Sequence, residues 1–286
     1  MEKHEIEHIE INLFLEAVFQ RYGYDFRNYA RASIQRRIRR LMETCGAANV
    51  GAMIPPVLHD EAFLAKVVDA LSINVTEMFR DPPFFQALRT EVVPYLLTYP
   101  FIKVWHAGCA TGEEVYSLAI LFKEEGLYDR TTFFATDFNA NIVEKAKAGI
   151  YPLESIKNFT ANYQKAGGKA AFSSYFHAQY DNAIIDGALK KNITFALHNL
   201  ATDGVFGEMH LILCRNVLIY FDTTLQSRVL GLFDDSLIHG GILALGSKET
   251  HSPAGLTDRY DPISAVWRLY KKISNCQLGA PWEHPE

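Results

Sequence analysis

The stretch VWHAGCATGEEVYSLA, residues 104–119, decides the fold class of this chain. Its first four residues are mostly apolar and predict a buried strand, and the residues after Gly112 have the spacing of an amphipathic helix. Between them lies a turn with glycines at positions 108 and 112, where the backbone can approach a ligand closely at the carboxyl end of the strand. The segment therefore predicts a ligand-binding turn in an α/β sheet.

The charge of this turn argues against a bound phosphate. A dinucleotide-binding loop typically has a third glycine. The helix that follows it has no acidic residues at its N-terminus, because pyrophosphate is anionic. Glu113 and Glu114 instead occupy the first turn of the predicted helix, where they suit a ligand with an ammonium or sulfonium charge. A tight-packing turn that binds nothing is the alternative, and the two glycines alone do not decide between them.

Short apolar runs recur after residue 101 and alternate with helical patterns. They predict strands at 102–107, 132–136, 193–197, 210–214 and 242–245. Since strands that are buried on both faces and joined by helices are typical of parallel sheets, we expect a parallel α/β sheet. Residues 265–271 predict an antiparallel edge strand, and residues 172–197 predict a small antiparallel β-subdomain.

The first 72 residues predict an all-helical domain. Apolar residues keep to one face at period 3.6 in three segments, which are separated by turn or helix-stop sequences. Residues 73–100 are expected to be a linker that contributes to the ligand site, and residues 101–275 are expected to form the α/β domain. Residues 276–286 are expected to be a tail.

Composition excludes several classes of protein. The chain has 286 residues, of which 49% are hydrophobic and 21% charged, so it can bury a sizeable core. A net charge of -5 argues against a protein that coats nucleic acid generally. No apolar run approaches the about 20 residues that cross a bilayer, and the acidic N-terminus is unlike a secretory signal. We therefore expect a cytoplasmic protein without membrane insertion, and the scattered cysteines and histidines predict no metal site.

A second polar position follows the next predicted strand. Asp137 ends the sequence FATD, 29 positions after Gly108, at the carboxyl end of the neighbouring strand. A carboxylate there is placed to accept hydrogen bonds from the two hydroxyls of a ribose. Asp137 could also cap the helix predicted at 141–148, and the two roles are compatible.

Five blocks of sequence resemble, in order and spacing, the chemotaxis receptor methyltransferases of the CheR family. They are NVTEMFRDP (74–82), AGCATGEE (107–114), ATD (135–137) with AKAGIY (146–151), HNL (198–200) and LCRNVLIYFD (213–222). The resemblance extends from about residue 10 to residue 272. It implies a Rossmann-like class I methyltransferase sheet, S-adenosylmethionine as the methyl donor with S-adenosylhomocysteine as product, and glutamate side chains on the cytoplasmic methylation helices of chemoreceptors as acceptors.

The resemblance also implies a set of donor-binding positions. They are Asn74, Thr76, Arg80, Ala107, Gly108, Glu113, Glu114, Asp137, Asn199, Leu200, Arg215 and Asn216. Which of Glu113 and Glu114 contacts the donor is left open. Met78 stands where the family often has an aromatic residue and Val115 where it often has proline. Neither departure removes a polar contact, so the set stands.

Methyl transfer to a glutamate needs no general base, because a carboxyl with a pKa of ~4.3 is ionised at neutral pH. The tasks left to the enzyme are alignment, exclusion of water and partial desolvation. Arg80 is a candidate to orient a carboxylate, either that of the donor or that of the acceptor. Tyr220 is a candidate to lie near the sulfonium or the acceptor, with a core aromatic as the alternative. These two are the predicted catalytic residues.

Residues 21–40 contain seven arginines and one acid, although the whole chain is acidic. Apolar residues at 34, 38, 41 and 42 take the inward face, so most of the arginines are expected to face outward and to suit a surface rich in carboxylates. The predicted recognition set is Arg31, Arg36, Arg37, Arg39 and Arg40. A solvated charged face is one alternative; nucleic acid is another, disfavoured because exposed aromatic residues are not interleaved.

Two further expectations concern partners. Family members that dock on a receptor's C-terminal pentapeptide carry a glycine-containing insertion in the β-subdomain, whereas residues 180–187 look compact, so we expect a pentapeptide-independent monomer. Two other functions stay open. One is a methyltransferase with a different acceptor, such as RNA or a small molecule, and the other is a non-enzymatic module that binds the donor as a signal.

Overall fold

The computed structural model describes residues 3–73, 75–251, 255 and 257–273. The chain begins with four helices, namely α1 (Lys3–Tyr22), α2 (Arg31–Cys45), α3 (Ile54–His59) and α4 (Glu61–Leu71). Their apolar faces form one core that includes Phe14, Ile38 and Val67. The prediction of an all-helical N-terminal domain is confirmed. In the described part of the chain, no helix combines the length and the apolarity that crossing a bilayer requires.

The segment predicted to be a linker is largely structured. It contains α5 (Pro82–Ala87), a π-helical turn (Leu88–Val92) and α6 (Val93–Leu96), which follow one another without a break. Phe79 and Phe85 are completely buried in the core of the α/β domain. The linker expectation is therefore wrong for residues 82–96, because their apolar side chains bury surface against the sheet instead of solvating it.

Ten strands form two sheets. The strands are β1 (Ile102–Ala107), β2 (Thr131–Asp137), β3 (Ile150–Pro152), β4 (Phe176–Gln179), β5 (Asn182–Ile185), β6 (Ile193–Leu197), β7 (Met209–Cys214), β8 (Leu237–Leu245), β9 (Tyr260–Ser264) and β10 (Leu269–Lys272). The main sheet has the order β6-β2-β1-β7-β8-β10-β9. Its first five strands are parallel, and β10 and β9 are antiparallel to their neighbours.

Two sequence-based boundaries are wrong. The segment predicted as an antiparallel edge strand, 265–271, overlaps β10, but β9 lies outside it and forms the edge. The small sheet has the order β3-β5-β4, so it draws β3 from before the predicted subdomain at 172–197. Residues 193–197 pair with β2 in the main sheet instead. Apolar periodicity identifies a strand but does not say which neighbour it will pair with.

Helices cover both faces of the main sheet. They are α7 (Glu113–Glu124), α8 (Ala140–Ala148), α9 (Ile156–Lys165) and α10 (Thr223–Ser236). Leu118 and Leu121 of α7 belong to one core cluster, and Val229 and Phe233 of α10 belong to another. Because β6, β2, β1 and β7 pair in parallel, they all end at the same edge of the sheet. The loops that follow them build the site described next.

Candidate functional site

A continuous cleft opens at the carboxyl edge of the parallel strands. It consists of two adjoining cavities with about 600 Å³ and about 450 Å³ of space between atoms, part of which is open to solvent. They share five lining residues, namely Ile73, Gly108, Asn216, Val217 and Tyr220. The first cavity is also lined by Tyr29 and Leu71 of the helical domain. The cleft therefore lies between the two domains.

Gly108 forms the floor where the two cavities meet. Its φ angle is +77°, and a Cβ atom added there would lie 2.7 Å from Cγ2 of Val217. Two features thus require glycine at this position: the left-handed backbone conformation and the close approach of the Val217 side chain. The other glycine of the turn, Gly112, precedes α7 with a φ angle of +90° and packs against Ala146. Ala107 is buried at the end of β1 and does not line the cleft.

Asp137 lies at the end of β2 and lines the first cavity. Its side chain accepts hydrogen bonds from the backbone N–H groups of Ala110 and Asn139, each at 3.1 Å. Burial raises the pKa of this carboxyl above its ordinary value. Helix α8 is capped by Asn139, which accepts from Asn141 N at 3.0 Å, so the capping alternative for Asp137 is wrong. Its carboxylate retains lone pairs for a ligand.

An ionic cluster around the buried side chain of Arg215 borders the second cavity. The Arg215 side chain is 2% exposed and donates to Glu114 Oε2 at 2.8 Å and to Asp81 Oδ2 at 2.7 Å. Its guanidinium carbon lies 3.8 Å from the ring centroid of Phe84. Among the described residues, its Nε atom is buried without a hydrogen-bond partner. Burial opposes the ionisation of Glu114, but Arg215 and His106 outweigh it and hold the pKa of Glu114 below its usual value.

The two adjacent glutamates have different surroundings. Glu113 is 7% exposed, accepts from Thr111 Oγ1 at 2.6 Å and lines neither cavity. Burial raises its pKa. Glu114 lines the second cavity and is held ionised by Arg215. Of the pair, Glu114 is therefore the one whose charge faces the cleft.

Thr76 and Arg80 also line the second cavity, whereas Asn74 lies outside the residues that the structure describes. The Arg80 guanidinium donates to the carbonyl of Val75 at 3.3 Å. The residues on either side of it, Phe79 and Asp81, have φ angles of +52° and +59°. Such angles are uncommon for residues other than glycine and mark a constrained backbone at the rim of the cleft.

The remaining predicted positions come from the loops after β6 and β7. Asn199 and Leu200 line the first cavity, while Asn216 and Tyr220 line both. Tyr220 is half-buried at the junction of the cavities, and its carbonyl accepts from Ala30 N of the helical domain at 2.7 Å. This placement favours a cleft residue over a purely core aromatic.

Sequence reasoning missed several residues in or behind the cleft, and Tyr29 and Glu249 are two polar ones among them. The ring of Tyr29 lies 5.0 Å from that of Phe221 and lines the first cavity, and among the described residues its hydroxyl has no hydrogen-bond partner. Burial and the charge of Asp137 raise the pKa of Tyr29. Glu249 lies behind the loop after β7, where backbone N–H groups surround its carboxylate. Neither residue belongs to a local motif, so no sequence signal marked it.

The arginines of α2 are divided among different partners. Arg39 Nε donates to Glu7 Oε1 of α1 at 2.6 Å, and Arg31 Nη2 contacts His8 Nδ1 at 2.9 Å. Arg37 Nη1 donates to the carbonyl of Ser72 at 3.0 Å. The expectation of an outward face without balancing groups is therefore wrong for these three residues. Helix α1, distant in sequence, supplies the partners of the first two.

Arg36 and Arg40 form no ion pair with any residue in the described ranges. Together with Arg37 and Lys66 they line a groove between α2 and α4. The groove adjoins the cleft, because Ser72 lines the groove and its neighbours in sequence, residues 71 and 73, line the first cavity. The cationic groove and the candidate site are thus lined by consecutive residues of the chain.

Comparison with known proteins gives the family. Residues 9–72 match the CheR methyltransferase all-alpha domain, and residues 74–268 match the CheR methyltransferase SAM binding domain. The chain belongs to the CheR methyltransferase family. The resemblance noted from the sequence and the predicted methyltransferase fold are both confirmed, and S-adenosylmethionine is the donor of the family's binding domain.

Relatives match along nearly the whole chain. Cher3 of Pseudomonas putida is 51% identical over 264 residues, which are 92% of this chain and 97% of that protein. The chemotaxis protein methyltransferase of Listeria innocua is 29% identical over 82% of this chain and 88% of its own. Among solved structures, the N-methyltransferase NodS of Bradyrhizobium japonicum, in complex with S-adenosylhomocysteine, covers 69% of this chain and 89% of its own at 14% identity, with a TM-score of 0.39. That score is too low to bear on function.

Proposed function

We propose that this protein transfers the methyl group of S-adenosylmethionine to glutamate side chains of chemoreceptors, giving glutamate methyl esters and S-adenosylhomocysteine. One observation carries the proposal. The cleft has a buried carboxylate at one end, Asp137, and an arginine–carboxylate cluster at the other, with a glycine floor between them. A nucleoside that carries a charged amino acid matches this distribution.

The donor set fits such a ligand group by group. Asp137 would accept hydrogen bonds from the ribose, with Asn199 and Leu200 beside it. Glu114 would face the ammonium, and Arg80 would pair with a carboxylate. The buried Nε atom of Arg215 is a donor still lacking a partner among the described residues, which a ligand oxygen would satisfy. The missing side chain at Gly108 lets Val217 pack closely against the floor where the two cavities meet.

Bound there, S-adenosylmethionine supplies an activated methyl group with a neutral thioether as leaving group. The chain's own residues need to align the acceptor and exclude water, since a glutamate is already ionised at neutral pH. Tyr220 lies where the cavities meet, and Arg80 lies at the rim with a charge that can orient a carboxylate. We propose these two as the catalytic residues, and no residue is required as a general base.

The groove between α2 and α4 is the proposed surface for the acidic methylation helix of a receptor. Arg36 and Arg40 are available to it, because no described residue pairs with them. Arg31 and Arg39 are engaged with groups of α1, so we expect them to contribute less. The charge of the groove and its position beside the cleft support the proposal.

A short turn supports docking without a receptor pentapeptide. Strands β4 and β5 are joined by two residues, Tyr180 and Asp181, which leaves no room for an inserted loop at this hairpin. We propose a pentapeptide-independent enzyme on this ground. A cytoplasmic location follows from the proposed acceptor, and the monomeric state stays a prediction.

The test is a transfer assay with labelled S-adenosylmethionine and three acceptors: membranes that carry receptor, total RNA, and buffer alone. We expect base-labile label on receptor only, since glutamate methyl esters hydrolyse in base. A receptor whose methylatable glutamates are replaced by alanine is the matched control and should stay unlabelled. Label in RNA would contradict the acceptor, and donor binding without transfer to any acceptor would favour a sensing module.

A further inference from the structure

The loop after β8 places one buried carboxylate behind the loop 215–220, which follows β7. Glu249 is 4% exposed. Its Oε2 atom accepts from Asn216 N at 3.0 Å and from Gly246 N at 2.5 Å. Its Oε1 atom accepts from Val217 N at 2.9 Å and from Ile219 N at 3.3 Å. Four backbone N–H groups therefore converge on one carboxylate.

These N–H groups take the place of a counter-ion. Within the described ranges, no lysine, arginine or histidine forms an ion pair with Glu249. A buried carboxylate without compensation is costly, so the four hydrogen bonds and the loop conformation that directs them depend on each other. One of the donating residues, Asn216, has a φ angle of +60°, which a free loop would seldom adopt.

The loop held in this way forms a wall of the cleft. Asn216, Val217 and Tyr220 line both cavities, while Glu249 lines neither. The fit of this wall is close, because Cγ2 of Val217 lies 2.7 Å from the place where a Cβ on Gly108 would be. A displacement of this loop would therefore change the shape of the cleft where the two cavities meet.

We propose that Glu249 is a positioning residue for the methyl donor. Its carboxylate fixes the loop 215–220 so that Asn216, Val217 and Tyr220 present the correct wall to the ligand. The inference rests on the proposed function, because it takes the cleft to be the donor site. Glu249 acts through the loop and does not touch the donor itself.

Gly246 offers a second way to disturb the same contact. A Cβ added there would lie 2.6 Å from Glu249 Oε2 and 2.9 Å from Asn216 N. Gly246→Ala would thus press the carboxylate and the loop apart without removing a charge. A matched control is Asp234, a buried carboxylate that accepts from the hydroxyl of Tyr260 at 3.0 Å and lines neither cavity.

The experiment measures the affinity of the full chain for S-adenosylhomocysteine by calorimetry, together with the thermal midpoint. Glu249→Gln keeps the size of the side chain but turns amide N–H groups toward two of the four converging N–H groups. We expect Glu249→Gln and Gly246→Ala each to weaken binding about tenfold. Asp234→Asn should lower the thermal midpoint and leave the affinity unchanged.

Chemical rescue adds a readout that stability alone would not move. Glu249→Ala leaves the four N–H groups around a space that a small carboxylate can enter. Excess sodium formate should therefore restore much of the lost affinity in Glu249→Ala, whereas sodium chloride at equal ionic strength should not. If Glu249→Ala fails to fold, Glu249→Gln and Gly246→Ala decide the question.

The outcomes separate this inference from the proposed function. Wild-type affinity in both Glu249→Gln and Gly246→Ala would overturn the positioning role and leave the donor site intact. A loss of affinity in Asp234→Asn as large as theirs would also overturn it, because general destabilisation would then explain all three. A wild-type chain that binds no S-adenosylhomocysteine would overturn the donor site itself.

Discussion

At the scale of single residues, Asp137 combines burial with an accessible face. Burial raises its pKa, and backbone N–H groups of Ala110 and Asn139 bind its carboxylate. A ribose hydroxyl donates its hydrogen bond to the ionised form. That form is present above the pKa of the folded protein and is lost as the pH falls through it.

We predict that Asp137→Asn weakens the binding of S-adenosylhomocysteine about tenfold at neutral pH, since a charge-assisted hydrogen bond is worth roughly 1.5 to 3 kcal/mol. Wild-type affinity should fall as the pH is lowered through the raised pKa of Asp137. The variant should lack this step, which separates Asp137 from Glu113 and Glu249, whose pKa values burial also raises. Calorimetry at a series of pH values measures both. An unchanged affinity in a folded variant at neutral pH would refute the ribose role.

Gly108 and Gly126 both have a left-handed backbone conformation, but only Gly108 faces the cleft. Gly108 and Gly126 have φ angles of +77° and +72°. A Cβ on Gly126 would meet nothing within 4 Å, whereas one on Gly108 would meet Val217 at 2.7 Å. Alanine at either position costs roughly 1 kcal/mol of backbone strain. A comparison of the two variants therefore separates the effect of strain from the effect of a steric clash with Val217.

We predict that Gly108→Ala and Gly126→Ala both lower the thermal midpoint. Only Gly108→Ala should weaken the binding of S-adenosylhomocysteine, by more than about tenfold, because the added methyl group displaces the wall at Val217. Thermal unfolding and calorimetry on the same samples check the two effects. Equal affinities in the two variants would show that the cleft tolerates a side chain at its floor.

At the scale of elements, α2 shows what periodicity predicts and what it leaves out. Ile34, Ile38 and Leu41 are buried, in agreement with the apolar spacing, while Met42 is only half-buried. The spacing does not show that Glu7 of α1 pairs with Arg39 or that Arg37 binds the carbonyl of Ser72. Partners that are distant in sequence decide which arginines remain available, and a single helix pattern contains no information about them.

We predict that Arg36→Glu with Arg40→Glu cuts methylation of receptor while the affinity for S-adenosylhomocysteine stays near that of the wild type. Both side chains line the exposed groove, so the change in stability should stay within about ±0.5 kcal/mol. Salt should raise the KM for receptor steeply, because screening shortens the Debye length from ~10 Å at 0.1 M to ~3 Å at 1 M. The KM for the donor should hardly change with salt.

The control for this pair is Lys145→Glu with Lys147→Glu on α8. These lysines are exposed, and their reversal changes the net charge of the chain by the same amount. We expect the control to methylate receptor almost as the wild type does. If both double variants lose the same activity, net charge and not the groove determines recognition. If neither loses activity and the rate is indifferent to salt, the face of α2 is only solvated.

The strands show the same division between local pattern and pairing. The turn at 104–119 predicted β1, the glycine bend and α7 because all three have local signatures. Residues 193–197 also form the predicted strand, but they pair with β2 in the main sheet and not with the small sheet. The three-residue strand β3 has too few residues for a pattern. Pairing depends on chain connections that short apolar runs do not specify.

At the scale of the whole molecule, the cleft is assembled from segments throughout the chain. Resemblance to a family located the positions at the strand ends, and Thr76, Arg80, Asp137 and Asn216 do line the cleft together. Sequence analysis did not identify Tyr29 and Glu249, because their roles depend on loops that meet only in the folded chain. Glu249 is 33 residues from Asn216, and no local motif connects them.

The two domains are joined beside the cleft by Asn139. Its Nδ2 atom donates to Asp69 Oδ1 of α4 at 2.8 Å and to Ser72 Oγ at 3.0 Å, while its Oδ1 atom caps α8. The same short stretch, 69–73, contributes Leu71 to the first cavity. The position of the helical wall over the donor site therefore depends on this side chain.

We predict that Asn139→Ala lowers the free energy of unfolding by about 2 to 4 kcal/mol, as it loses a helix cap and two hydrogen bonds between domains. Asp60→Ala is the control, because Asp60 caps α4 through Ala62 N at 2.9 Å and forms no hydrogen bond or ion pair with the α/β domain in the described part of the chain. It should lose only about 1 kcal/mol. Urea unfolding measures both.

Asn139→Ala should also weaken the binding of S-adenosylhomocysteine, whereas Asp60→Ala should not, since only Asn139→Ala releases the helical domain that forms one wall of the cleft. Equal losses of stability and unchanged binding in both variants would show that the domains hold their places without Asn139.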